Sequence, residues 1–327
     1  MTKQTIKIPR LTSNMQTIQF IIDLWFLEET DEYVFDFENA GKVEPFTLLF
    51  LSSEIKHFRD YRPERKFSGV NIKKMQEAAD MGFFRAIGIE YGDADPNWEK
   101  SLTAIPIKIF YCNNIIKDAD KIGKPVGEYL TGRATTLSHI LTRTDSGDLF
   151  DTLQYSIREI LRNVVEHSES NQFGFCAQHW PERKKVSLAI LDRGIGLKQS
   201  LMQNPYLSVL NDTDAVKLAI QPGISGKAYA GVKADESNIW ANSGYGLYMT
   251  SQICKMGGSF VLTSGSKGIF LSETHKRVFD IRSQGTALNL TLSTDKLKSL
   301  SLMLARLRES EEVKNAPINP STASLGK

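Results

Sequence analysis

Cysteine is scarce in this chain. There are three, Cys112, Cys176 and Cys254, widely spaced and odd in number, which excludes a disulfide framework and any zinc-ligand spacing. Long apolar runs are missing too. The most apolar stretch near the N-terminus, 18–27, is interrupted by Asp23 and is too short to span a bilayer. The opening Met-Thr-Lys-Gln-Thr-Ile-Lys leads into no signal-peptide core or small-residue cleavage site. Neither sign of charge dominates. Forty Lys and Arg face 38 Asp and Glu, with no basic block, so nucleic acid and acidic membranes are not indicated as partners. Gly (23) and Pro (11) are too few among 327 residues for a collagenous or low-complexity chain. The expectation is a cytoplasmic, globular protein of about two domains with buried free thiols.

What is present patterns as α/β. A smaller unit is expected over 1–112. Its strand at 33–37 is rich in aromatic and β-branched residues and ends at the turn Glu38-Asn-Ala-Gly41. A helix over 45–59 opens on Pro45 and sets Phe46, Leu49, Phe50 and Ile55 on one side. A short strand at 67–70, a helix over 73–81 closed by Gly82, and a strand carrying Ile105, Ile107 and Ile109 follow. Residues 113–148 are more polar and read as a connector with some helix.

The second unit is expected over 149–293. Leu153, Ile157, Ile160, Leu161, Val164 and Val165 recur at helical spacing, which predicts a helix over 151–167. Phe173, Phe175 and Ala177 alternate as a strand, and so do Val186, Leu188 and Ile190. The segment 197–243 is mostly polar and irregular, with Pro205, Pro222, Gly223, Gly226 and Gly231, a length that marks function or mobility in a compact domain. A helix over 246–256, a hairpin about Gly265-Ser-Lys-Gly268 and a last strand over 286–292 complete the unit. Residues 294–311 hold a C-terminal helix, and 312–327 read as a disordered tail.

Four short segments carry the chemistry. In Glu159-Ile-Leu-Arg-Asn163-Val-Val-Glu-His167, three polar residues four apart stack on one helix face. Asp192-Arg-Gly194-Ile-Gly196 directly follows an apolar strand. Asn242-Ser-Gly244-Tyr245-Gly246-Leu247 opens a helix, where glycines let backbone N–H groups approach an anion. Gly285-Thr286 opens the final strand. Singly, each reads as an ordinary polar face, turn or strand start. Their order is what is informative.

Together they resemble the GHKL ATPases, which take in the gyrase B subunit, a heat-shock chaperone ATPase, the histidine kinases and MutL. The matching pieces are an E-x-x-x-N helix, a D-x-G-x-G turn, a G-x-G-L helix start and a G-T strand start, over roughly 150–292. A Walker A loop is absent. The resemblance implies a two-layer α/β sandwich, a mixed and mostly antiparallel sheet covered by helices, that binds ATP with Mg²⁺. Asp192 would accept the exocyclic amine of adenine, Gly194 and Gly196 would keep side chains off the ring, and Thr286 would hold a water beside it. Asn163 would be the Mg²⁺ ligand. Gly244, Tyr245, Gly246 and Leu247 form the helix start that receives the phosphates, and 197–243 is the lid, with Lys227 near the γ-phosphate. Glu159 would orient or deprotonate the attacking water or hydroxyl. Sensor kinases usually carry Asn there, so Glu159 points to the ATPases or the anti-sigma-factor serine kinases. In Asn163-Val-Val-Glu166-His167-Ser168, Glu166 stands where the kinase box has Lys, which puts one phosphate contact in doubt. His167 reads as a structural or nucleotide-lining histidine. Ser138-His139-Ile-Leu-Thr lacks the acidic residue and the Pro of a phosphoacceptor box.

The first unit resembles a STAS-type (anti-sigma antagonist) domain in element order, although a generic α/β interaction domain fits equally. Where that family carries its phosphorylated Ser, this chain has Val43-Glu44-Pro45-Phe46-Thr47, which implies docking of a protein partner. Two functions stand open: an ATP-gated switch with slow hydrolysis, or a serine/threonine kinase acting on a partner. A homodimer is also left open.

Overall fold

The computed structural model describes residues 2–92, 103–229 and 244–317. The fold is mixed α/β, built on two sheets. Three parallel strands, β1 (Lys3–Lys7), β2 (Glu32–Asp36) and β3 (Lys66–Val70), lie side by side in chain order. Helix α1 (Asn14–Trp25) links the first two, opened by Ser13, whose side chain accepts the Gln16 N–H. Helix α2 (Pro45–Asp60) links the second pair. Two short helices follow, α3 (Gln76–Asp80) and α4 (Phe83–Ala86).

The second sheet has the order β4 (Ala104–Tyr111), β5 (Gln172–Trp180), β6 (Lys185–Asp192), β8 (Lys276–Ser293), β7 (Gly258–Ser272), and every neighbouring pair is antiparallel. The expectation of a mixed sheet is thereby corrected. One face packs against α5 (Cys112–Lys121), α6 (Val126–Thr142), α7 (Asp148–His167) and α10 (Gly246–Lys255) through Leu137, Leu153, Ile157, Phe175, Leu188 and Leu290.

The other face is covered by the N-terminal helices. A single apolar cluster runs from Tyr33 and Phe35, through Phe50, Ile55 and Phe58 of α2, to Cys176, Ala189 and Leu191 of the second sheet. Helix α2 buries eleven of its sixteen residues, as a helix held between two sheets must. It lies close because the strands beneath it carry small residues. A Cβ on Gly174 would stand 2.7 Å from Leu49 Cδ1. The layers therefore run parallel sheet, α1 with α2, antiparallel sheet, helices.

Several expectations change. The strand at 105–109 is the edge strand β4 of the second sheet, not a member of the first. The connector 113–148 is largely α5 and α6, whose Ile115, Leu130, Leu137 and Leu141 are core. The glycines at 265–268 do not turn the chain. They sit at a bulge in β7, with Gly265 at φ +63°, and the turn falls at 273–275. Residues 197–218, expected irregular, include α8 (Gly196–Met202) and α9 (Asp212–Leu218), the latter capped by Asn211. The C-terminal helix is α11 (Leu300–Arg308), and a further turn of helix, α12 (Glu311–Lys314), buries Val313 within the expected tail. Residues 318–327 of that tail and 230–243 of the expected lid lie outside the described residues. Thr47 is 2% exposed and shares a 2.7 Å hydrogen bond with Thr17, so it is not an accessible phosphorylation target.

Ion pairs tie α2 to the second sheet: Lys185 of β6 meets Glu44 at 2.6 Å, and a second pair is more deeply buried. Arg193, just past β6, reaches Glu54 of α2 at 2.7 Å and donates to Ser53 Oγ at 2.8 Å, while Trp25 Nε1 donates to the second Glu54 oxygen. The Glu54 side chain is 2% exposed. Removing the cation that meets a buried carboxylate is expensive, so Arg193→Ala is expected to lower unfolding stability by about 3 kcal/mol, read as a shifted denaturant midpoint. Arg193→Lys should recover some of that loss.

Candidate functional site

Helix α7 supplies one wall. Its face opposite the core carries Glu159, Arg162, Asn163 and His167, and all four line a single cleft. This polar face is enclosed rather than solvated: Arg158, Glu159 and Arg162 are each buried. The sheet forms the floor with Ile190, Leu262 and Leu288, and Ile160, Leu197, Leu201 and Ile224 add apolar walls. The cleft takes in about 940 Å³ of non-atom space, the open solvent at its mouth included.

Asp192 ends β6, lines the cleft and is itself buried. Its Oδ1 accepts the Gly194 N–H at 2.9 Å. Burial raises its carboxyl to about 6, against the opposing pull of the Gly194 and Thr286 N–H groups and the Arg193 charge. Thr286 and Gly196 line the cleft beside it. Gly194 does not. It has no room for a side chain, because a Cβ there would lie 1.9 Å from the Ser168 carbonyl oxygen. Its contribution is the N–H given to Asp192, not clearance around a ring.

Gly244, Gly246 and Leu247, where α10 begins, also line the cleft. Gly246 is required by close approach: a Cβ would sit 2.1 Å from Glu159 Oε2. The second oxygen, Oε1, accepts from Arg158 Nε at 3.1 Å and Nη2 at 2.7 Å. Arg162 Nη1 stands farther off, 3.8 Å from the same oxygen, and Arg162 Nε donates to Glu166 Oε1 at 3.1 Å. Burial, with Lys227 and Arg162 nearby, lowers His167 to about 4, so its imidazole is neutral at pH 7. Tyr245 is buried beneath the helix start and does not line the cleft; burial raises its phenol. Lys227 is exposed and donates its Nζ to the Glu166 carbonyl at the end of α7, while its neighbours Ser225 and Gly226 line the mouth. Asn242 and Ser243 lie outside the described residues.

Of the twelve residues singled out from sequence, the cleft thus gathers Glu159, Asn163, His167, Asp192, Gly196, Gly244, Gly246, Leu247 and Thr286. Sequence reasoning passed over Arg158 and Arg162. For Arg162 the signal was the Arg162–Glu166 pair at helical spacing; Arg158, adjacent to Glu159, gave none. Among the described residues no cluster of three His, Cys, Asp or Glu could hold a metal. The Asn163 amide is the group that fits a hard cation: its Nδ2 is buried without a hydrogen-bond partner, and rotating the amide exchanges that nitrogen for an oxygen. The lining offers an acceptor in Asp192, an apolar surface, a donor in Arg162 and a helix N-terminus.

No family model, curated protein or solved structure matches this chain.

The folded protein holds Asp192 protonated to a higher pH than the unfolded chain does. Its ionisation therefore opposes folding by an amount that grows as pH rises from about 4 to about 6 and is fully present at pH 7. Asp192→Asn is expected to stabilise the protein by about 1–3 kcal/mol at pH 7 and to have little effect near pH 4, measured by denaturant unfolding at both pH values.

Proposed function

We propose that this chain is an ATP- and Mg²⁺-binding protein of GHKL type that works as an ATP-gated switch with slow hydrolysis. The observation that carries the reading is convergence. Glu159, Asn163 and His167, then Asp192, then Gly244 and Gly246, then Thr286 are spread over more than a hundred residues of sequence, and they line one cleft. That lining suits the proposed ligand. A carboxylate accepts an exocyclic amine and disfavours the carbonyl that guanine has there. Ile190, Leu262 and Leu288 suit a flat ring, and the α10 N-terminus suits phosphate.

Asn163 would hold the Mg²⁺ through its amide oxygen. A cation there supplies charge neutralisation to the phosphates. Glu159 keeps Oε2 beside the α10 start, positioned to orient a nucleophile, while Arg158 fixes Oε1. The N-terminal unit is read as a STAS-like docking module for a protein partner. Two features favour the switch over a kinase with its substrate in the same chain: Thr47 is buried, and Arg193, inside the Asp192 turn, is held by α2.

The deciding experiment is incubation with Mg²⁺ and γ-labelled ATP, alone and with lysate, beside Glu159→Ala. Slow release of free phosphate that disappears in the variant is expected. Label on a lysate protein, also lost in the variant, would replace the switch with a protein kinase. Absence of ATP binding would overturn the reading. ATP affinity is further expected to fall as pH drops through about 6, because protonation turns Asp192 from acceptor into donor. Asp192→Asn should weaken ATP by about 10- to 100-fold while it stabilises the fold, as followed by calorimetric titration across pH.

A further inference from the structure

We propose that Arg162 is the residue that reads the terminal phosphate, which makes the site selective for a nucleoside triphosphate. The inference rests on the nucleotide reading above and deepens it. It starts from two atoms. Arg162 Nη1 and Asn163 Nδ2 belong to consecutive residues, both line the cleft, and both are buried without a hydrogen-bond partner. A buried N–H left unmet costs about 1–3 kcal/mol, so a ligand that supplies an acceptor there recovers that energy. The Asn163 amide can turn its oxygen to a cation, whereas Arg162 can only donate, and an acceptor-only group is its complement. Phosphate oxygens are such acceptors, and Arg is the side chain whose planar fork suits them.

The charges on α7 narrow the choice to Arg162. Arg158 is fully engaged, with two nitrogens on Glu159 Oε1 and its guanidinium 5.1 Å from the Tyr155 ring centre. Arg162 is only half engaged. Its Nε is held by Glu166, and its Nη1 points toward Glu159 from 3.8 Å, beyond hydrogen-bond reach. The Lys expected at position 166 is a glutamate here. The cation comes instead from one helical turn earlier, where Glu166 competes with a ligand for it. An incoming phosphate at Nη1 draws Arg162 off Glu159 and leaves that carboxylate held by Arg158 alone. Occupancy of the terminal-phosphate position is thereby coupled to the state of the proposed base.

The test compares ATP, ADP and adenosine binding at fixed Mg²⁺ by calorimetric titration for wild type, Arg162→Gln and Arg162→Lys. Arg162→Gln is expected to weaken ATP about tenfold or more and to leave adenosine unchanged, with partial recovery in Arg162→Lys. Equal loss for all three ligands would assign Arg162 a structural role and overturn the proposal. So would unchanged binding of all three. Glu166→Gln provides an independent arm: it frees Arg162 and should tighten ATP but not adenosine, and the gain should vanish in the Arg162→Gln/Glu166→Gln double variant. Persistence of the gain in the double variant would overturn the proposal as well. A wild type that binds none of the three ligands fails the nucleotide reading itself, and that failure is distinct from a wild type that binds them with no preference traceable to Arg162.

Discussion

The structure depends on a sheet that is apolar on both faces. An antiparallel sheet ordinarily turns one face to water and shows polar residues there. Here β5 and β6 present Phe173, Phe175, Leu188 and Ile190 to one side and Cys176, Ala189 and Leu191 to the other. Both sides must be covered. Helices α6, α7 and α10 cover the first and α1 with α2 the second, so the N-terminal helices complete the core of the sheet that carries the cleft. The small residues on the second side let α2 settle close to the strands. The buried Glu54 is then tolerated because Arg193 meets it from the neighbouring layer.

The same arrangement explains the character of the cleft. Its floor belongs to a sheet shielded on both sides, and its wall is a helix whose polar face is enclosed. Charges placed there lose their hydration and must find each other. Glu159 does so with Arg158, while Asp192 meets two backbone N–H groups and the charge of Arg193, too little to offset burial, and its carboxyl rises. The fold thus gives up stability at Asp192 to hold an acceptor in an apolar recess. On the proposed reading, that acceptor selects the base, and the half-met Arg162 guanidinium takes the terminal phosphate.

Much of this was legible in the sequence, for identifiable reasons. The helix expected at 151–167 is α7; the strand at 33–37 matches β2 through its aromatic and β-branched composition, the short strand at 67–70 matches β3, and those at 173–177 and 186–190 match β5 and β6 through their alternation. The cleft residues were legible because four motifs kept their order. Other features were hidden by their chemistry. In α6, Thr131, Thr135 and Thr142 return their hydroxyls to carbonyls four residues back, so a helix rich in polar residues needs no polar surroundings. In α1 the near-continuous apolar run 18–27 masked the helical period that buries Ile18, Ile21 and Leu24. The second buried face was written in Gly174, Cys176 and Ala189, residues whose smallness is informative only once a helix is known to lie on them. The pairing of Arg158 with Glu159 needed coordinates, since adjacent charges on a helix do not usually meet.

A helix buried between two sheets also constrains ancestry. A recombination event between β3 and β4 would separate sheets that share one covering layer, and each fragment would display an apolar plane. Surfaces of that kind associate indiscriminately, and selection removes such products. Growth by insertion at an exposed turn, such as 273–275 between β7 and β8, leaves the shared layer intact. The lineage of this chain can therefore lengthen, but its two halves travel together.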